Sequence, residues 1–184
     1  TFDDGPSATL TPALLDELDR LGVKATFFVT GVAARRHPEL IAQMVARGHT
    51  VGSHGHSHRI LTFTGPADLV KELDDATAAI EVAGGRPVRH FRPPHGFWRP
   101  GLSAALARRR LVPWGWTADA WDTDGPPADV IVKRILGKLQ PGGIVLLHDG
   151  DALSDGDALS DGDALKDGDG DGGAAMLAAV RAIV

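Results

Sequence analysis

The chain has no cysteine among its 184 residues, which excludes disulfides, cysteine-ligated zinc and thiol nucleophiles while leaving the redox compartment open. Apolar runs are short, and none approaches the roughly 18 residues of a membrane-spanning helix. A basic stripe interleaved with aromatics is also missing, which argues against a nucleic-acid partner. No signal peptide is visible in a sequence that opens at Thr1-Phe2-Asp3-Asp4 without a methionine.

What is present has the balance of a soluble globular chain: 43% hydrophobic and 23% charged residues. Its length suits one domain over residues 1–184, large enough to bury a core without staples. The net charge of −5 is unevenly placed. Eight aspartates and one lysine fall within residues 151–173, leaving 18 basic and 16 acidic residues elsewhere, so the remainder is near neutral.

Proline at the start and glycine or an apolar residue at the end mark four helices, at 12–22, 38–48, 66–84 and 127–139. Each carries an apolar stripe at helical spacing: Leu14, Leu15, Leu18 and Leu21; Leu40, Ile41, Met44 and Val45; Leu69, Val70, Leu73, Ala76 and Ile80; Val130, Ile131, Ile135 and Leu139. A last helix over 174–184 packs Met176, Leu177, Val180 and Ile183. Between them lie strand-like runs at 25–30, 50–53, 90–92, 111–117 and 144–148. Strands alternating with helices imply parallel βαβ units, and their recurrence along the whole chain predicts an α/β fold, a distorted (β/α) barrel. Asp119, Asp122, His54, Arg92 and His148 all fall at or just after a strand, where a barrel gathers catalytic groups at one mouth.

Three imidazoles fall within five residues in HGHSH, residues 54–58. Two imidazoles and a carboxylate suit a divalent cation such as Zn²⁺, with positions left for water and substrate. His54 and His58 would meet one metal from a helical turn, whereas His54 and His56 would do so from an extended strand. Asp3-Asp4-Gly5-Pro6 reads either as a solvated turn or as two carboxylates pointing different ways, one to a metal and one to a proton. Arg92 alone could be a surface charge and Asp122 a helix cap. Of Trp114, Trp116 and Trp121, two are expected in the core and the third as a sugar-stacking platform.

TFDDGPS at 1–7, GHTVGSHGHSH at 48–58, RPPHG at 92–96, WTADAWD at 116–122 and IVLLHDG at 144–150 together resemble the five ordered motifs of the polysaccharide deacetylases. The resemblance implies that family's distorted barrel, here with its first strand truncated, and metal-dependent hydrolysis of N-acetyl groups on chitin- or peptidoglycan-type glycans. It implies Asp4, His54 and His58 as ligands of one divalent metal, zinc with cobalt or nickel as substitutes. His56 is left as an exposed loop residue. Asp3 would be the base, Arg92 its partner, His148 the acid, Asp122 the carboxylate beside that acid, and the His95 backbone N–H an oxyanion donor. Leu146 and Pro94 would contact the acetylated glycan, and substrate class points to an extracellular or cell-envelope setting. A monomer is expected. Departures are Gly55 where Ser or Thr is usual, His95 where Tyr is common and Thr123 where Trp is expected. With the first strand nearly absent, Asp3 and Asp4 are expected at a fraying end.

Competing readings are an O-acetyl esterase on xylan-like glycan and a catalytically silent sugar- or calcium-binding module. Asp3, Arg92 and His148 together argue against silence, since holding a metal requires none of them. The six-residue DGDALS repeat at 150–161, continued to 173, reads as a mobile, solvated insertion; calcium binding is the alternative, although no EF-hand spacing is present.

Overall fold

The computed structural model describes residues 1–150 and 171–184. In chain order the elements are β1 (Phe2–Asp3), α1 (Leu10–Leu21), β2 (Thr26–Val29), α2 (Gly31–Arg36), α3 (Pro38–Ala46), β3 (Thr50–Ser53) and α4 (Pro66–Gly84). There follow β4 (His90–Phe91), α5 (Leu102–Arg108), β5 (Val112–Pro113), β6 (Ala118–Asp119), α6 (Ala128–Leu136), β7 (Val145–His148) and α7 (Asp171–Ile183). The apolar stripes are buried largely as their spacing predicts: Leu14, Leu15, Leu18, Ile41, Met44, Leu69, Leu73, Ile80, Ile131, Ile135, Met176 and Val180 form one core with Phe27, Phe91 and Leu147 of the strands. Val70 and Leu139 are exposed instead. Val70 lies beside rather than on the Leu69–Leu73–Ala76–Ile80 line, and Leu139 falls beyond the end of α6.

Sheet order is β5-β4-β3-β2-β1-β7-β6, with every paired neighbour parallel. The expected strand at 111–117 is two strands at opposite ends of this sheet. β5 pairs with β4 and β6 pairs with β7; Pro113, which has no N–H, and Gly115 interrupt the run between them. Trp114 N–H donates to the Phe91 carbonyl at 2.8 Å, and Thr117 N–H to the Ile144 carbonyl at 2.9 Å. Three residue steps span at most about 11 Å, so the far edges of the sheet approach each other and the sheet curls into the distorted barrel.

Alternation along each strand sorts its residues by face. Phe2, Phe27, Val29, Phe91 and Leu147 join the helix-covered core outside the barrel. Their neighbours turn inward: Gly52 approaches the Phe28 ring, and the Arg92 guanidinium lies 4.2 Å from that ring's centroid. Register then sets the mouth, because Asp3 is level with Phe28 on one side and His148 on the other.

The front of the chain is tied down rather than frayed. Thr1 donates from its ammonium and its hydroxyl to the Val145 carbonyl (2.9 and 2.6 Å), and Leu147 N–H donates back to the Thr1 carbonyl at 3.1 Å. Two helices escaped the proline-to-glycine reading. α2 opens at Gly31 behind Thr30, whose hydroxyl accepts from Ala33 N–H, and α5 opens behind Gly101, two residues after the Arg99-Pro100 pair. α7 begins at Asp171, so the last three residues of the acidic stretch are helical. The mobility and calcium expectations otherwise concern residues 151–170, outside the described ones.

Candidate active site and metal centre

The five quoted motifs bring their polar residues to one end of the barrel. Asp4 follows β1, His54 follows β3, Arg92 follows β4, Asp122 lies in a short 3-10 turn after β6, and His148 ends β7. Asp4 Oδ1 stands 3.3 Å from His54 Nε2 and 3.1 Å from His58 Nε2, and among the described residues these three form the one cluster able to hold a metal ion.

The donor set fits a cation. His54 Nδ1 lies 2.8 Å from the Arg92 carbonyl, so that nitrogen carries a proton and Nε2 is the atom left for a cation when the ring is neutral. Asp4 Oδ1 is buried and faces only the Nε2 atoms of the two histidines. The separations match the edge of a zinc tetrahedron with bonds near 2.05 Å, about 3.3 Å. Electrostatics agree in sign. Burial opposes charge on Asp4, but contacts from His54 and His58 outweigh it and hold the carboxyl well below its usual range. Burial likewise opposes the His54 imidazolium, yet Asp3 and Asp4 raise its pKa. The site therefore favours positive charge.

Asp3 and Asp4 do point apart. Asp3 Oδ1 accepts from Arg92 Nη1 at 2.7 Å while Oδ2 lies 3.8 Å from His54 Nε2. Burial raises the Asp3 pKa, and His54 and Arg92 pull against it. Arg92 is completely buried. It also donates to Thr1 Oγ1 at 2.9 Å and to the Gly115 carbonyl at 2.8 Å, so one side chain grips Asp3, the residue before the first strand and the segment closing the barrel.

On the other side, His148 Nδ1 and backbone N–H each lie 2.8 Å from an oxygen of Asp122. This fixes the proton on Nδ1 and leaves Nε2 as the working nitrogen. Burial disfavours the imidazolium, but Asp122 together with the Asp4 and Asp3 charges raises the pKa to about 9. Asp122 is thus the partner of His148 rather than a helix cap, and Asp119 spends its carboxylate on Trp121 N–H at 2.8 Å.

His95 occupies the Pro94–Gly96 turn at φ 57°, its ring 4.5 Å from that of His58. Pro94 is buried, and a Cβ on Gly55 would lie 3.3 Å from its Cγ. Gly55 also has φ 79°, so this tight contact and left-handed backbone account for glycine where a hydroxyl residue is usual. Leu146, two residues before His148, shares its inward face and is buried. Asp4, His58, His95 and Trp121 are four of the five non-glycine residues with positive φ among the described residues, a concentration of strained backbone around the mouth.

Two expectations are corrected. His56 is buried, 9% exposed, and packs against Gly31 and Ala76 behind the site instead of lying in solvent. None of the three named tryptophans is core: Trp121 is 60% exposed, Trp114 39%, and Trp116 is half-buried against Gly96. Trp114 lies at the opposite end of the barrel, beside the strand starts Thr26, Thr50 and His90, where its indole N–H donates to His90 Nδ1 at 2.9 Å.

Sequence reasoning missed three supporting residues. Thr11 Oγ1, in the first turn of α1, donates at 2.7 Å to Asp149, whose carboxyl fills the space beside Gly5 where a Cβ would be 2.5 Å away. Burial, with Asp4 and Asp3 nearby, pushes the Asp149 pKa up to about 7. The third is Glu72 on α4. A carboxylate one position before Leu73 on a buried stripe carries no signal of its own in the sequence.

A family model described as polysaccharide deacetylase matches residues 1–111. The chain is 41% identical over 151 residues to the chitooligosaccharide deacetylase of Sinorhizobium fredii, covering 82% of this chain and 70% of that protein. It is 35% identical over 152 residues to a peptidoglycan-N-acetylglucosamine deacetylase of Bacillus cereus, covering 82% and 71%. The family 4 carbohydrate esterase of Streptomyces lividans, solved in complex with acetate, superposes with a TM-score of 0.79 at 29% identity, over 98% of this chain and 83% of that one.

Proposed function

This chain belongs to the polysaccharide deacetylase family, and on that premise we propose that it hydrolyses N-acetyl groups from N-acetylglucosamine-containing polymers or oligomers, releasing acetate. The observation that carries the reading is the convergence of Asp4, His54 and His58 between an Asp3–Arg92 pair and a His148–Asp122 pair. Asp4, His54 and His58 would hold one divalent cation, zinc in the first instance with cobalt or nickel as substitutes. When bound, the cation polarises the acetyl carbonyl and makes water more acidic.

The chain's own groups do the rest. Arg92 orients Asp3 and opposes the upward push of burial on its pKa, so that Asp3 in its ionised form accepts a proton from the attacking water. The His95 backbone N–H donates to the oxygen that gains charge as the carbonyl carbon becomes tetrahedral. His148 delivers the proton from Nε2 to the departing nitrogen as the C–N bond breaks, giving acetate and a free amine. Leu146 and Pro94 shape the acetyl pocket, while exposed Phe97, Trp98 and Trp121 offer faces to sugar rings.

An O-acetyl ester substrate is the second reading, favoured by the similarity to a carbohydrate esterase. A silent module is disfavoured, because it would need neither the Asp3–Arg92 nor the His148–Asp122 contact. An envelope or extracellular setting follows from the substrate, and no helix among the described residues is long and apolar enough to cross a membrane. We further propose a monomer. The test incubates zinc-loaded protein with chitooligosaccharides, peptidoglycan fragments and acetylated xylan, scoring acetate and free amine. Acetate with amine from the first two supports amide hydrolysis; acetate from xylan alone would favour the esterase, and none from any would return the silent module.

A further inference from the structure

The loop joining His54 to His58 has no regular structure, and His58 sits at φ 58°. A left-handed backbone at a residue with a Cβ is strained and persists where its surroundings impose it. Spacing alone therefore does not bring the two Nε2 atoms together.

Glu72 supplies the constraint. It lies on the buried face of α4, and its carboxylate takes donors from this loop. Oε2 accepts from the backbone N–H of His56 at 3.0 Å and of Ser57 at 3.1 Å; Oε1 accepts from Ser57 Oγ at 2.7 Å and faces Arg59 Nε at 3.0 Å. Arg59 Nε also reaches Ser57 Oγ at 3.0 Å. Three donors, from His56 and Ser57, lie between the proposed ligands and one, from Arg59, just after the second. A charged acceptor makes stronger hydrogen bonds than a neutral one, and a carboxylate left in this buried position without them would be costly.

We propose that Glu72 is a positioning residue for the metal centre, clamping residues 56–59 so that His54 and His58 present their Nε2 atoms to the oxygen of Asp4. This rests on the reading of Asp4, His54 and His58 as metal ligands. It makes a distinction that ordinary packing does not: loosening the clamp lowers metal affinity and distorts ligand geometry, whereas an equal loss of stability elsewhere on α4 does neither.

The experiment compares the wild type, Glu72→Gln, Ser57→Ala and Ile80→Ala in the full chain. Ile80 is a buried residue two turns further along the same helix. Zinc affinity is read by competition with a chromophoric chelator, ligand geometry from the visible spectrum of the cobalt-substituted protein, and stability from melting of the metal-free form. Glu72→Gln, which sets an amide N–H₂ against loop donors, is expected to weaken zinc binding about 10- to 100-fold and alter the cobalt bands. Ser57→Ala should do the same to a smaller extent. Ile80→Ala should lower melting yet keep zinc affinity within about twofold. Wild-type affinity and spectrum in Glu72→Gln, or a loss in Ile80→Ala matching it, would overturn the assignment. Absence of zinc binding by the wild type would remove the underlying metal reading and this inference with it, a result distinct from either.

Discussion

At the residue scale, the groups proposed as proton acceptor and proton donor have partners of opposite charge. Asp3 is held by a guanidinium and His148 by a carboxylate. Asp3→Asn keeps the shape but cannot accept a proton. Acetate release should fall about 10²- to 10⁴-fold with zinc content unchanged; metal loss matching that of His54→Ala would reassign Asp3 as a ligand. His148 makes a pH prediction. Its pKa rises from 6.5 to about 9 in the folded protein, so the imidazolium's contribution to stability is full below 6.5 and disappears as pH rises through about 9. The alkaline limb of kcat/KM on an amide substrate should follow the same titration. In Asp122→Asn that limb should move toward 6.5, because both the hydrogen bond and the charge favouring the imidazolium are lost; unchanged limbs would exclude His148 as the acid.

At the element scale, β1 is two residues long yet lies in the interior of the sheet, between β2 and β7. Phe2 anchors it from outside, stacked on Phe27 with centroids 5.3 Å apart. Phe2→Ala should cost about 3–5 kcal/mol by urea unfolding; a loss below about 1 kcal/mol would mean that the ladder alone holds the strand. This scale also separates what is legible in the sequence. Helices with an apolar stripe and a proline start declare themselves, as Pro38 and Pro66 do. The pair β5 and β6 does not, because one apolar run, Leu111 to Thr117, contributes to opposite sheet edges, and partner choice is a tertiary fact. The residues of the proposed ligand triad and of the Asp3–Arg92 and His148–Asp122 pairs are legible only through the resemblance of five short motifs to a family; from the residues alone His56 stands beside His58 as a candidate, and Arg92 and Asp122 read equally as a surface charge and a cap. Glu72 and Thr11 are not legible, since each serves the site from a helix whose local pattern is ordinary. His56 was misplaced because its burial depends on α2 and α4 passing behind the loop.

At the scale of the whole molecule, the proposed ligands come from two separate places in the chain, the turn after β1 and the loop after β3, so a bound cation would cross-link them. Binding only to the folded form adds stability as RT ln(1 + [L]/Kd), about 2.7 kcal/mol at a hundredfold excess over Kd. For a chain of this size each kcal/mol shifts melting by about 2–4 °C. Chelation should therefore lower the melting temperature by roughly 5–10 °C, and zinc should restore it in the wild type but not in His58→Ala. Equal melting with and without chelator would argue against the centre.

The pairing of β1 with β7 has a consequence for the order in which the protein becomes competent during synthesis. Asp3, Asp4, His54, His58 and Arg92 leave the ribosome well before His148, but β1 has β7 as one of its two neighbours, and Asp3 is level with His148 in that ladder. Until β7 arrives, β1 has one open edge and the proposed proton donor is missing. A nascent chain ending before Ile144 should therefore be unable to hydrolyse an amide, even with every metal ligand already translated.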